Sequence, residues 1–567
     1  MVKFSEIKYV RPDLEQYKKD ATALLDRIEN AKSYAEMKQA YLEFDKRQGE
    51  LNEACTVAYI RNTVNKSDEF YDAEIKFIDE QTPTLMPISK RMSQLLLSSP
   101  FRKEFEAEYG TIINESCEKN LPLQDERLIP DMQRENELTQ EYSLIAAKCK
   151  TIFRGEECNL YGLLKHMNST DRVERKEAFI EWSKLYEGVS GELDRIYSEL
   201  VEIRHRKATT VGMNNYHDFA LISSDHFDYT KEDLANFKKQ VVEVIVPIAA
   251  KLFEEQKERL GIDVLNWYDE GLIYPEGNAT PQGNKDQMIS WANEMYHELS
   301  AETGEFFDFM CKYELFDLET KPNKHLGGYM TLLDVCKAPF IFSNFNGTSA
   351  DVDVLTHEAG HAFQGYVGSR TQPVSALYAS TSDIDEIHSM TMEHLTYPWM
   401  DKFFGENVDK FRYAHLSESI KVIPYLCAVD EFQCRVYDKP QMTAEERYQA
   451  WHDIETVYLP WRKYDGNAFL EKGGFWMQKQ HIFLYPFYYI DYALAQICAH
   501  QLFAKVCENK EEGWNDYLRL CKAGGQTGYL GLLKIAGVKS PFEDGTVKET
   551  MDKIEKQLEI FKSKLDK

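Results

Sequence analysis

The 567-residue chain contains no run of 18 apolar residues, so no helical membrane span is expected. Its first residues, MVKFSEIKYVRPDLEQ, are polar almost at once and lack the apolar stretch of a signal peptide. Positive charge is scarce. Against 94 Asp and Glu stand 67 Lys and Arg, a net charge of -27, with no basic stripe to offset it. A field of that sign repels nucleic acid and anionic membranes, so neither is expected as a partner. The 11 cysteines are odd in number, scattered and never paired as Cys-x-x-Cys. That excludes a disulfide framework and suits a reducing compartment. Together these absences predict a soluble, cytoplasmic protein. No repeat of fixed period stands out either, which argues against a solenoid.

What is present is amphipathic helix. In RPDLEQYKKDATALLDRIENA, residues Leu14, Tyr17, Ala21, Leu24, Leu25 and Ile28 share one face, with Pro12 before the first turn and Asp13 as cap. Similar stretches are expected at 34–44, 67–81, 138–151, 169–186, 190–211 and 231–259. The length is too great for one compact core, so two lobes are expected: a mainly helical one over residues 1–270 and a second over 271–567. The segment LIYPEGNATPQGNKDQ (272–287) reads as the loop between them. Two short β-prone runs follow, 327–333 and 339–345, the only clear sheet signal. The fold class expected is mostly α, two-lobed, with a small sheet beside the helix that follows it.

After the second run comes NGTSADVDVLTHEAGHAFQ. Gly347 breaks the strand, Thr348 or Ser349 can cap, and Asp351 and Asp353 suit the first turn of a helix. On that helix His357 and His361 lie four apart, one turn from each other on one face, close enough to share a metal ion. Neutral imidazole suits zinc, and Glu358 beside the first ligand can reach an activated water as general base. His-Glu-x-x-His alone is weak evidence, because three fixed letters recur in a chain this long by accident at about 7%. The strand before it and the capped helix around it add weight.

Catalytic zinc needs a third protein ligand. The metzincin pattern is absent, since Gln364 and Val367 stand where it wants Gly and His. The next acidic cluster, STSDIDEIHSMTMEHL, offers Asp383, Asp385, Glu386 and Glu393. At helical spacing Glu386 and Glu393 share a face. Glu386 is taken as third ligand and Glu393 as an outer partner for a histidine N–H. His388 points away from Glu386. Further on, QKQHIFLYPFYYIDYALAQ carries His481, Tyr485, Tyr488, Tyr489 and Tyr492. If helical, His481, Tyr485, Tyr488 and Tyr492 share a face and can donate to an oxyanion, although an aromatic stripe of this kind also reads as ordinary core.

HEAGHAFQ, DEIHSMTMEHL and HIFLYPFYYIDYALAQ together resemble the oligoendopeptidase F branch of the thimet-oligopeptidase-like zinc metallopeptidases, close to the Pz-peptidase type. The intervals agree: Glu386 follows His361 by 25 residues, as that family's third ligand does. The resemblance implies a clam-like helical molecule with a deep channel and one zinc ion held by His357, His361 and Glu386. It implies Glu358 as base, His481 and a downstream tyrosine at the oxyanion, and short oligopeptides as substrates with folded proteins excluded. The tyrosine spacing departs from the family's, so Tyr492 is preferred, then Tyr489, then Tyr485. Gly327, Gly328 and Tyr329 begin a strand whose edge can pair with substrate backbone. Two other classes remain open at this point: an aminopeptidase, though Gly-x-Met-Glu-Asn is missing, and a peptide-binding scaffold with a relic motif. Oligomeric state is unreadable.

Overall fold

The computed structural model describes residues 1–565, which are 72% helical with two small sheets. The first long helix, α1 (Leu14–Glu29), starts where Asp13 accepts a hydrogen bond from the Gln16 N–H, and it buries Leu14, Tyr17, Ala21, Leu25 and Ile28. It packs against α2 (Tyr34–Val64). The helix expected to end at Phe44 thus runs twenty residues further, since nothing between Asp45 and Val64 breaks it. The two helices expected over 169–211 are one, α3 (Arg172–Thr210). Gly188 and Gly191 weaken it by about 1 kcal/mol each. Buried Trp182 and Tyr186 before them and Leu193, Ile196, Tyr197 and Leu200 after them hold it together. The stretch expected as one helix over 231–259 instead bulges into a π-turn at Val241–Ile245, just before Pro247, which has no N–H to donate.

A hairpin, β1 (Lys150–Phe153) and β2 (Glu156–Asn159), was not expected from the sequence, where Thr151 was assigned to a helix. Its signal is the two-residue turn Arg154–Gly155, both at positive φ (50° and 92°), as a right-twisted hairpin requires. The second sheet has three strands in the order β3–β5–β4. Here β3 is Phe316–Glu319, β4 is Tyr329–Leu333 and β5 is Ala338–Phe345. β4 runs antiparallel to β5, with Tyr329 opposite Phe342, and β3 is parallel to it. The parallel strand was missed because four residues of partial burial carry no periodicity. β4 lies at the sheet edge.

The central strand β5 is almost wholly buried and feeds α4 (Ala350–Thr371), the helix bearing His-Glu-x-x-His. α4 packs on β5 and on α5 (Ser382–Leu395), and α5 lies against α6 (Tyr489–Glu508). The largest apolar core runs from Val57 to Phe561 and draws on both halves of the chain. No helix among the described residues is long and apolar enough to cross a membrane.

Gly360 sets how closely α4 and α5 approach. A Cβ there would stand 2.6 Å from Ser389 Cα and 2.7 Å from the His388 carbonyl, both backbone atoms that cannot swing aside. Gly360→Ala is therefore expected to destabilise the protein by about 1–3 kcal/mol through overpacking. A denaturant titration checks this, and an unchanged midpoint would mean that the helices part freely.

Candidate metal centre

Four elements build the site. Gly347, at φ 88°, turns the chain out of β5. The α4 terminus is then held by Asp351, whose carboxylate accepts from the N–H groups of Asn346 (2.8 Å) and Gly347 (2.7 Å). Neither Thr348 nor Ser349 caps with its side chain as expected; Thr348 donates to Asn346 Oδ1 instead. About two turns into the helix, the rings of His357 and His361 lie 4.9 Å apart. From α5, Glu386 Oε2 approaches His357 Nε2 at 3.3 Å and His361 Nε2 at 3.4 Å. Three ligand atoms, one per residue, lie within 4.8 Å of one another.

This donor set fits a zinc ion. Two ligands about 2.1 Å from one tetrahedral ion sit about 3.4 Å apart, which is the observed spacing. The outer partner is in place too. Glu393 Oε1 lies 2.6 Å from His357 Nδ1, so the Nε2 lone pair of His357 faces Glu386 and the site. Glu393 Oε2 takes a second bond from His415 Nε2 at 2.9 Å, a residue with no sequence signal. Burial alone would raise the Glu393 carboxyl, but the hydrogen bonds from His357 and His415 bring it down to about 2. Glu386 is fixed at both oxygens, Oε2 by Ser389 Oγ (3.0 Å) and Oε1 by Tyr488 OH (2.6 Å).

Glu358 is 6% exposed, and its Oε2 has no hydrogen-bond partner among the described residues. Burial pushes its carboxyl pKa up, which suits a group that must take and return a proton. Across from it runs the start of the β4 edge. A Cβ on Gly328 would stand 3.4 Å from Glu358 Oε1 and 2.9 Å from Val354 Cγ1, so only glycine lets backbone lie this close to the carboxylate. Gly327 (φ 88°) makes the turn into it. Tyr329 OH bonds Thr63 Oγ1 of α2 at 2.5 Å, and its ring stacks on Phe342.

The tyrosine stretch differs from expectation. It is not one helix: a short helix Gln480–Leu484 ends, Pro486 and Phe487 (φ 66°) break the chain, and α6 begins at Tyr489. The break is held by the Phe487 N–H on Gln433 Oε1 and by Phe487 stacking on His217. The side chains nevertheless gather around the His481 ring, with Tyr489 at 4.6 Å, Tyr485 at 5.9 Å, Tyr488 at 6.0 Å and Tyr492 at 6.3 Å between centroids. Burial, with Lys479 nearby, lowers the His481 imidazolium to about 3, so the ring is neutral and offers one N–H. Its Nδ1 is covered and without a partner among the described residues. Tyr485 is 53% exposed and lies outermost. Tyr488, passed over in favour of its neighbours, is the tyrosine that touches Glu386. The glycine-rich stretch after residue 522 is tightly seated, since a Cβ on Gly524 or Gly525 would meet the carbonyls of Leu377 and Ala379 within 2.3 Å.

Known proteins resemble this chain, a solved structure along nearly all of it and curated relatives along about 70%. A solved structure of Pz peptidase A with an inhibitor superposes with a TM-score of 0.96 at 42% identity, covering 98% of this chain and 99% of that one. An oligoendopeptidase F homolog of Borreliella burgdorferi is 24% identical over 404 residues, 70% of this chain and 66% of its own length. A chromosomal oligoendopeptidase F of Lactococcus lactis subsp. cremoris is 23% identical over 421 residues, 72% and 65% respectively. The chain therefore spans just under two thirds of these curated relatives. The peptidase M3 N-terminal domain matches residues 4–123, and peptidase family M3 matches residues 165–552. With more than half of its length in that second match, the chain belongs to peptidase family M3.

Proposed function

We propose that this protein is a zinc-dependent endopeptidase that cuts internal bonds of short oligopeptides. The observation that carries the reading is the convergence of His357, His361 and Glu386 beside a buried Glu358, whose Oε2 has no partner among the described residues, next to the edge strand β4. His357, His361 and Glu386 would hold one zinc ion, which when bound acidifies a water molecule and polarises the scissile carbonyl. Peptide backbone adds to the β4 edge at Gly327, Gly328 and Tyr329, the two glycines offering no Cβ to obstruct it, and Tyr485 lines the approach. Glu358 accepts the proton of the attacking water and delivers it to the leaving amine. The neutral His481 N–H and the hydroxyl of Tyr492, or of Tyr489, donate to the oxyanion as it forms. Glu393 holds His357 in the tautomer that turns Nε2 inward. The division into lobes near residue 270, with the site between them, belongs to the same reading: a narrow channel admits peptides and excludes folded proteins. A cytoplasmic peptide-degrading role agrees with the acidic surface.

Tyr488 adds a specific expectation. Tyr488→Phe removes the hydroxyl on Glu386 Oε1 and is expected to weaken zinc retention about 10-fold to 100-fold. Competition with a colorimetric chelator reads this, and unchanged affinity would detach Tyr488 from the ligand.

The reading as a whole is tested by incubating the protein with end-blocked and unblocked peptides of increasing length and mapping products by mass spectrometry. Internal cuts in end-blocked peptides, lost above a length limit and lost with chelator, are expected. Release of terminal residues only would make it an exopeptidase. No cleavage by metal-loaded protein would make it a binding scaffold.

A further inference from the structure

A second buried group of ionisable side chains lies where α5 and α6 begin. His226, Asp383 and Asp491 are 6%, 0% and 1% exposed, and one donor atom from each falls within 4.8 Å of the others. His226 Nε2 stands 3.8 Å from Asp383 Oδ2 and 3.7 Å from Asp491 Oδ2. Asp383 is in the first turn of α5, one turn before Glu386. Asp491 is in the first turn of α6, immediately before Tyr492.

Burying two carboxylates side by side is costly, even with two helix N-termini to stabilise them. Neighbouring hydroxyls reduce that cost. Thr381 Oγ1 donates to Asp383 Oδ1 (2.5 Å), Tyr229 OH to Asp383 Oδ2 (3.1 Å) and Ser382 Oγ to Asp491 Oδ2. Three of the four carboxylate oxygens thus already accept hydrogen bonds. The atoms without a partner among the described residues are His226 Nε2 and Asp491 Oδ1. Its ligand atoms are more widely spaced than those of the His357 group, and both carboxylate oxygens that face His226 already accept hydroxyl hydrogen bonds, so it is not built as a second metal site. Nor is it idle packing, since apolar side chains of similar volume would fill the space at lower cost.

The loop that brings His226 is itself anchored on two further sides. Asp225, at φ 58°, accepts from Ser116 Oγ (3.0 Å) and Asn120 Nδ2 (2.6 Å), and Asp228 Oδ2 accepts from the Leu530 N–H (2.7 Å). His226 is therefore a fixed point against which the two helix ends are set.

We infer that His226, Asp383 and Asp491 form a buried clamp that holds the first turns of α5 and α6 in register and so positions Glu386 against Tyr488 and Tyr492. All three are positioning residues, and none touches substrate or metal. The clamp rests on the proposed peptidase function only where cleavage is the readout. A misplacement of about 1 Å at such a site costs on the order of 100-fold in rate.

His226→Leu and Asp491→Asn are accordingly expected to lower kcat about 10-fold to 100-fold with KM little changed, while one metal ion per chain is retained. Thermal stability should fall in His226→Leu, which leaves Asp383 and Asp491 buried without their histidine, and should hold or rise in Asp491→Asn, which removes one of the two buried carboxylates. His226→Gln, which keeps an N–H donor at similar reach, should recover most of the loss. The cobalt-substituted protein gives a readout independent of cleavage: its visible spectrum should shift in His226→Leu as the geometry at Glu386 relaxes. Unchanged kcat and cobalt spectrum in both variants would overturn the clamp, as would a fall in melting temperature with kcat intact. A second metal ion in the wild type that Asp491→Asn loses would replace it with a metal site. If the wild type cleaves no peptide, the peptidase reading fails, and the cobalt spectrum still decides the clamp.

Discussion

Glu358→Gln is expected to lower kcat by about 10²–10⁴-fold while the protein keeps its zinc and its fold. Glutamine has the shape of glutamate and cannot hold the proton. At 6% exposure, with Oε2 unpartnered, the Glu358 carboxylate contributes no salt bridge whose loss would unfold the protein. Removing a buried charge leaves stability equal or higher. The loss corresponds to about 3–5 kcal/mol of transition-state stabilisation, at 1.36 kcal/mol per decade. Steady-state kinetics on an end-blocked peptide, with metal content measured on the same sample, checks both halves. A variant that turns over at the wild-type rate removes Glu358 from the chemistry. One that has lost its metal leaves the base untested and makes Glu358 a ligand.

Metal removal should have an equal or greater effect. Without the ion, the attacking water has its ordinary pKa of 15.7 rather than about 7, and the rate should fall by at least about 10³-fold. Dialysis against a chelator should abolish cleavage in the wild type, and added zinc should restore it. His361→Ala should lose cleavage and not regain it with zinc. That substitution leaves Glu386, 2% exposed, without one of its two histidines, so some loss of stability should accompany it. Circular dichroism separates that loss from the loss of metal. Full activity after exhaustive chelation would contradict the account.

Local pattern reached part of this arrangement. The His357–His361 pair is a four-residue spacing on a helix announced by a strand, a glycine and two acids. Glu386 and Glu393 are seven apart, so they share a face of α5, and the structure brings both to His357 from that face. Other features depend on contacts between distant residues, which no period records. Four tyrosines within eight residues look interchangeable in sequence. Tyr488 meets Glu386 because Phe487 takes a left-handed conformation, held by Gln433 from another helix. His415 on Glu393, and His226 between Asp383 and Asp491, join residues from separate elements of the chain. In the fold, the hairpin at residues 150–159 was hidden by its shortness and by the helix before it. The 39-residue α3 spans two expected stretches, because Gly188 and Gly191 interrupt the local pattern while buried residues on either side join them. At the start of α4 no side chain caps the helix, and Asp351 instead ties its first turn back to the N–H groups of Asn346 and Gly347 before it.

The most direct test is anomalous diffraction at the zinc edge from crystals of the metal-loaded protein. The account predicts one strong peak, about 2.0–2.2 Å from His357 Nε2, His361 Nε2 and a Glu386 oxygen, with Glu358 outside bonding distance. A peak coordinated by Glu358, or seated at His226, Asp383 and Asp491 instead, would contradict it.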